Sequence, residues 1–132
     1  LLLAKNDVAD YYYSVGGAAH IGETTEQAVE REVFEETGID YKVERLVFVH
    51  ENFFLGDAPS NHGKLIQEIS FYFYMKTPAD FAPISESFTE DASKEYLRWV
   101  APDDEITIYP TFFKTELKNP TDTVKYFVTD DR

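Results

Sequence analysis

The segment from Thr24 to Thr37 constrains the chain most, because it carries the local signals of an α-helix from end to end. Thr24 and Gln27 have the spacing of a capping box, in which the Thr hydroxyl and the Gln amide each satisfy an orphan backbone N–H. Glu23 and Glu26 stand at the positive end of the helix dipole. Gly38 supplies the left-handed residue that closes a helix at its C-terminus. Residues three and four apart share a helix face, so Glu32 aligns with Glu35 and Glu36. One turn earlier that stripe holds Ala28, whose small side chain predicts space for a bulky ligand. Three carboxylates crowded together repel one another unless a cation neutralises them, and hard oxygen ligands at that density suit Mg²⁺ or Mn²⁺. The competing reading is a solvated acidic face, the ordinary state of a Glu-rich helix.

What precedes the helix favours the metal. Tyr11 to Val15 is aromatic and β-branched, hence a strand, and Gly16-Gly17 breaks it and opens a loop through Gly22. Glycines let backbone approach a ligand closely and expose a carbonyl to a metal. Arg31 sits beside the carboxylates, and a bidentate Glu23–Arg31 pair would lock the loop onto the helix.

The stretch GGAAHIGETTEQAVEREVFEETGI, residues 16–39, resembles the Nudix box of the MutT-like hydrolases. Gly17 and Glu23 take its first two positions, and Arg31, Glu32, Val33, Glu35, Glu36, Gly38 and Ile39 the rest, without a mismatch. Chance agreement is on the order of one in ten million per start site at background residue frequencies. Trp99 with Ala101-Pro102-Asp103-Asp104 resembles a late strand and turn of the same family. Val15 departs from it, standing where members often carry Pro. The resemblance implies an α+β, α-β-α sandwich with a mixed sheet flanked by helices and a catalytic helix at about 24–37. It also implies metal-dependent hydrolysis of a diphosphate linkage in a nucleoside diphosphate derivative, such as a nucleotide, nucleotide sugar, ADP-ribose or dinucleoside polyphosphate. Carried over, Glu32, Glu35 and Glu36 are metal ligands, with the Gly17 carbonyl a further one. Glu23 and Arg31 organise them from behind, and a glutamate such as Glu35 or Glu36, or a carboxylate from a later loop, is the base. The Pro associated with ADP-ribose enzymes is missing from Val47–Leu55, as is the Tyr associated with dinucleoside polyphosphate enzymes. A non-catalytic nucleotide sensor on the same fold is the main alternative, although its usual mark is a degenerate box. An isomerase acting on a diphosphate-bearing substrate usually needs a cysteine nearby, and the chain has none.

Composition narrows the partners. The 132 residues fit a single domain over 1–132, and 43% hydrophobic residues suffice for a core. The absence of cysteine excludes disulfides, thiol catalysis and Cys-based zinc sites, and fits a cytoplasmic location. A net charge of −13 argues against duplex nucleic acid as a partner, while metal ions can still bridge an acidic site to a small polyanion. No apolar run approaches the ~20 residues of a membrane helix, so no membrane partner is expected. The family resemblance adds a homodimer as an expectation. The only methionine is Met75, so the first strand, Leu1–Ala4, is expected to be incomplete, with residues preceding it.

The remaining segments read mainly as strands. These are Tyr41–Phe54, Leu65–Lys76, Glu95–Val100 and Thr123–Val128, with a short helix over Thr111–Lys118, a helical turn at Pro102–Ile106 and polar turns at Lys5–Asp7 and Gly56–Gly63. Residues 77–94 read as an exposed loop, and acidic Glu86–Glu95 as solvated surface or a lid. Candidate substrate contacts are Tyr12 within Tyr11–Tyr13, Gly16 in the loop, and Glu51 and Phe53, with Asn52 and Phe54, where a strand runs into a loop. Glu68 is the odd acid in an apolar strand, a candidate fourth ligand or base set against a plain outward-facing Glu. His20 reads as a solvated loop residue, and His50 and His62 carry no ligand spacing.

Overall fold

A computed structural model describes residues 1–6, 10–76, 86–88, 94–101 and 103–132. They fall into two compact units, residues 1–42 with 77–120 and residues 43–76 with 121–132.

The first unit holds a five-stranded mixed sheet and both helices. Its strands are β1 (Leu2–Asn6), β2 (Tyr12–Ser14), β5 (Glu86–Phe88), β6 (Lys94–Trp99) and β7 (Ile108–Tyr109), in the order β5-β6-β1-β2-β7. β1 is central, which explains why consecutive Leu3 and Ala4, pointing to opposite faces, are both fully buried. It runs through Lys5 and Asn6, where a polar turn was expected, because the antiparallel ladder to β6 continues to Tyr96 and Glu95. β7 pairs in parallel with β2 and buries Ile108. It is two residues long and carries no periodic signal, so the sequence reading missed it.

β5 lies within the stretch read as loop, and pairing with β6 makes it a strand. Residues 77–85 and 89–93 lie outside the described residues, and so, for the most part, does the lid reading of Glu86–Glu95. Pro102 does too. Asp103–Ile106 form a turn rather than a helix, with the Asp104 amide donating to the Ala101 carbonyl (3.1 Å) and the Asp104 carboxylate accepting from the Ala101 amide. Helix α1 spans Thr25–Thr37, and α2 is the single turn Phe113–Glu116, anchored by buried Phe113.

The second unit is a three-stranded sheet, β4-β3-β8, made of β3 (Lys42–Leu55), β4 (Leu65–Lys76) and β8 (Lys125–Asp131). β8 runs parallel to β3, and Phe48 and Phe127 meet edge to face between them. Val47, Phe48 and His50 form the buried middle of β3. The chain is thus α+β as expected, with mixed strand directions, its strands divided between two sheets. No helix among the described residues is long and apolar enough to cross a membrane.

Candidate active site

Helix α1 is built as its sequence dictates. The Thr24 hydroxyl accepts from the Gln27 amide (3.1 Å) and the Gln27 side chain accepts from the Thr24 amide (3.0 Å), so both halves of the capping box are present. At the far end Gly38 adopts φ 74°, and its amide closes on the Phe34 carbonyl. Thr37, almost fully buried, donates to the Val33 carbonyl and accepts from the Ile39 amide. Ala28, Val33 and Thr37 form the buried stripe. Ala28 therefore opens no space for a ligand, contrary to expectation. Its small side chain serves close packing instead.

Arg31 is the hub of the site. Its Nε and Nη2 grip both oxygens of Glu23 at 2.7 and 2.9 Å, the bidentate pair expected from the sequence. Nη2 also donates to the Ala18 carbonyl (3.1 Å), and Nη1 to Glu32 Oε1 (2.9 Å), with Glu35 held loosely at 3.4 Å. Glu23 accepts a further bond from the His20 amide (2.8 Å). The Arg31 guanidinium, helped by that amide, holds the Glu23 carboxyl down to about 2, and the Glu23 and Glu32 carboxylates raise Arg31 in return. One guanidinium thus ties the glycine loop to the carboxylate helix. The Ala18 carbonyl and the His20 amide are backbone partners that no side-chain pattern reveals.

Gly17 lies directly against Glu32. A Cβ there would sit 2.4 Å from Glu32 Cδ and 2.5 and 2.6 Å from its carboxylate oxygens. Only glycine allows the loop to press so closely on this carboxylate. Glu32 is mostly shielded, Glu35 is about half exposed, and Oε2 of Glu36 is buried. These are hard oxygen donors beside an exposed glycine loop, a set whose chemistry fits Mg²⁺ or Mn²⁺. Among the described residues no three acidic or histidine side chains are grouped so as to hold a metal ion.

With this geometry in place, comparison with known families is decisive. A model of the NUDIX domain family matches residues 1–121. The chain belongs to this family. Nudix proteins of the hydrolase type are thereby its relatives, and the box read from residues 17–39 lies within the matched span. No curated protein matches the chain in sequence.

The other candidate residues of this Nudix chain divide between the units. The three adjacent tyrosines alternate as a strand must. Tyr11 packs edge to face with Tyr109 (4.9 Å) and against Tyr13, whereas Tyr12 bonds Arg98. Gly16 adjoins Gly17 and has open space around its missing side chain. Glu51, Phe53 and Glu68 lie in the three-stranded unit. Register with β8 puts Glu51 and Phe53 opposite Val128 and Asp130, and the Arg132 guanidinium stacks on the Phe53 ring at 4.7 Å. His50 and Asn52 alternate to the other face, where His50 Nε2 meets Thr129 Oγ1 at 2.8 Å. Burial lowers the His50 pKa, opposed by the negative field of Glu68, whose own carboxylate accepts from Ser70 (3.3 Å) and is solvent-exposed.

Proposed function

We propose that this Nudix chain, acting as one domain over residues 1–132, is a divalent-metal-dependent pyrophosphohydrolase. Its substrate is a small nucleoside diphosphate derivative, a nucleotide, nucleotide sugar, ADP-ribose or dinucleoside polyphosphate. The observation that carries this reading is the lock of Arg31 on Glu23, the Ala18 carbonyl and Glu32, with Gly17 pressed on the same Glu32 carboxylate. A solvated acidic face has no use for such an arrangement. It fixes one carboxylate of the cluster against a backbone able to approach a phosphate.

In this reading Glu32, Glu35, Glu36 and the Gly17 carbonyl would hold Mg²⁺ or Mn²⁺, and the bound ion would supply polarisation of the phosphoryl oxygens and a lower pKa for water. The chain's own part is positional and acid–base. Glu23 and Arg31 keep the loop and helix in register, and Glu23, ionised down to about pH 2, does so at any physiological pH. Glu35, only loosely held by Arg31, can turn to a ligand or take the proton of water. Water adds to one phosphorus, the bridging P–O bond breaks, and the leaving phosphate carries away the bond electrons. We place the activity in the cytoplasm, with no duplex nucleic acid or membrane partner, and in a homodimer.

The test is phosphate release from a panel of such derivatives with Mg²⁺, with Mn²⁺ and with chelator, on wild type and Glu36→Gln. Metal-dependent turnover that falls at least ~10²-fold in the variant supports the reading. Full activity in Glu36→Gln would sink it. Tight nucleotide binding without turnover across the panel would favour a non-catalytic sensor instead.

A further inference from the structure

Four arginines lie among the described residues, and two of them, Arg31 and Arg132, hold carboxylates. Arg31 holds Glu23, Glu32 and Glu35, Arg132 holds Asp130, and Arg45 donates to the carbonyls of Leu46 and Thr121. Arg98 differs. Among the described residues its hydrogen-bond partner is a neutral phenol, with Nη1 donating to Tyr12 Oη at 3.2 Å and the guanidinium 5.7 Å from the Tyr12 ring centroid. The nearby Asp104 carboxylate acts on Arg98 weakly and is bonded to the Ala101 amide.

The position of this pair is informative. Arg98 stands on β6 and Tyr12 on β2, with β1 between them. Leu3 of β1 is in register with Arg98 on one side and Ser14 on the other, so the three share a sheet face. The Arg98 side chain crosses the central strand to reach the strand that enters the Gly16-Gly17 loop. Strand spacing puts the Arg98 and Ser14 backbones about 10 Å apart, and Gly17 at most about another 10 Å along the chain. A nucleoside diphosphate derivative can bridge that distance. Four of the five guanidinium N–H groups are not directed at Tyr12, and a planar fork of this kind matches an oxyanion bidentately. In a chain of net charge −13, a polyanionic substrate needs such a cation to offset repulsion away from the metal.

We propose that Arg98, oriented by Tyr12, is an oxyanion subsite of this chain that selects substrates carrying a phosphate or carboxylate beyond the hydrolysed linkage. The assignment rests on the pyrophosphohydrolase reading above. It names the substrate class within that reading, a nucleotide with an additional anionic group.

The experiment compares one nucleoside triphosphate with the diphosphate of the same nucleoside, on wild type, Arg98→Ala, Arg98→Lys and Tyr12→Phe. Arg98→Ala should lower the triphosphate-to-diphosphate ratio of kcat/KM about tenfold, chiefly through KM for the triphosphate. Arg98→Lys should recover part of it, and Tyr12→Phe should show an intermediate loss. Calorimetric binding of the triphosphate without metal should weaken in the same order. A ratio and a metal-free affinity unchanged in Arg98→Ala would overturn the subsite. So would equal losses for both nucleotides. Retained activity in Glu36→Gln overturns only the underlying hydrolase reading, because the metal-free binding comparison does not depend on turnover.

Discussion

Gly17→Ala separates the site from the scaffold. The new Cβ would meet the Glu32 carboxyl group at 2.4–2.6 Å, and ordinary van der Waals contact begins about 3.4 Å away. Glu32 must therefore retreat by about 1 Å. It can do so cheaply, because its carboxylate is the far end of a flexible side chain. Gly17 is exposed and is not among the positive-φ glycines, so alanine meets no backbone strain there. Stability should change by no more than about 0.5 kcal/mol, as for other exposed positions, a Tm shift of roughly 2 °C in a chain this size. Catalysis should suffer far more, since a displacement of about 1 Å in a positioned group costs on the order of 10²-fold. The assay pairs Mg²⁺-dependent phosphate release with a thermal melt of the same preparation. Wild-type turnover in Gly17→Ala would refute the claim that Glu32 must sit against the loop. A collapse of Tm with activity would show that the contact is structural.

Two further outcomes follow from the same geometry. Thr24→Ala removes the hydroxyl that accepts from the Gln27 amide, leaving only the bond from the residue-24 amide to the Gln27 side chain, and should cost about 1 kcal/mol, whereas Thr24→Gly should cost only a few tenths; equal urea midpoints for the wild type and the alanine variant would contradict this. His50 is buried with its pKa below the ordinary 6.5, so below that pH the unfolded chain binds the proton more readily than the folded one. The stability it contributes is present above about pH 6.5 and drains as pH falls toward the lowered folded value. Urea midpoints from pH 7.5 to 5 should fall less steeply in His50→Gln than in wild type, and parallel slopes would rule the histidine out.

The box helix was legible because its determinants are local. Thr24, Gln27 and Gly38 act within one turn of themselves, and the three- and four-residue spacing of Glu32, Glu35 and Glu36 fixes a shared face in any α-helix. The Glu23–Arg31 pair was legible for a similar reason, as only the N-cap Thr24 and the first turns of α1 separate two complementary partners. The long strands β3 and β4 announced themselves through apolar and aromatic runs. Sequence could not show that β5 and β7 exist, since two- and three-residue strands are created by the neighbour they pair with. Nor could it divide the strands between two sheets. Local pattern also misjudged Ala28, because a small side chain is equally suited to an open cleft and to a tight contact. Tertiary structure made that choice, burying it. Which of three identical tyrosines is used was undecidable from composition, and only the register of β2 against β1 and β7 packs Tyr11 on Tyr109 and Tyr13 and leaves Tyr12 to Arg98. That last pair joins residues 86 positions apart, across a strand that belongs to neither. The sequence by itself determined the chemistry on the helix, through short-range spacing. Which distant side chains join it was decided by strand order and register, which no local interaction encodes.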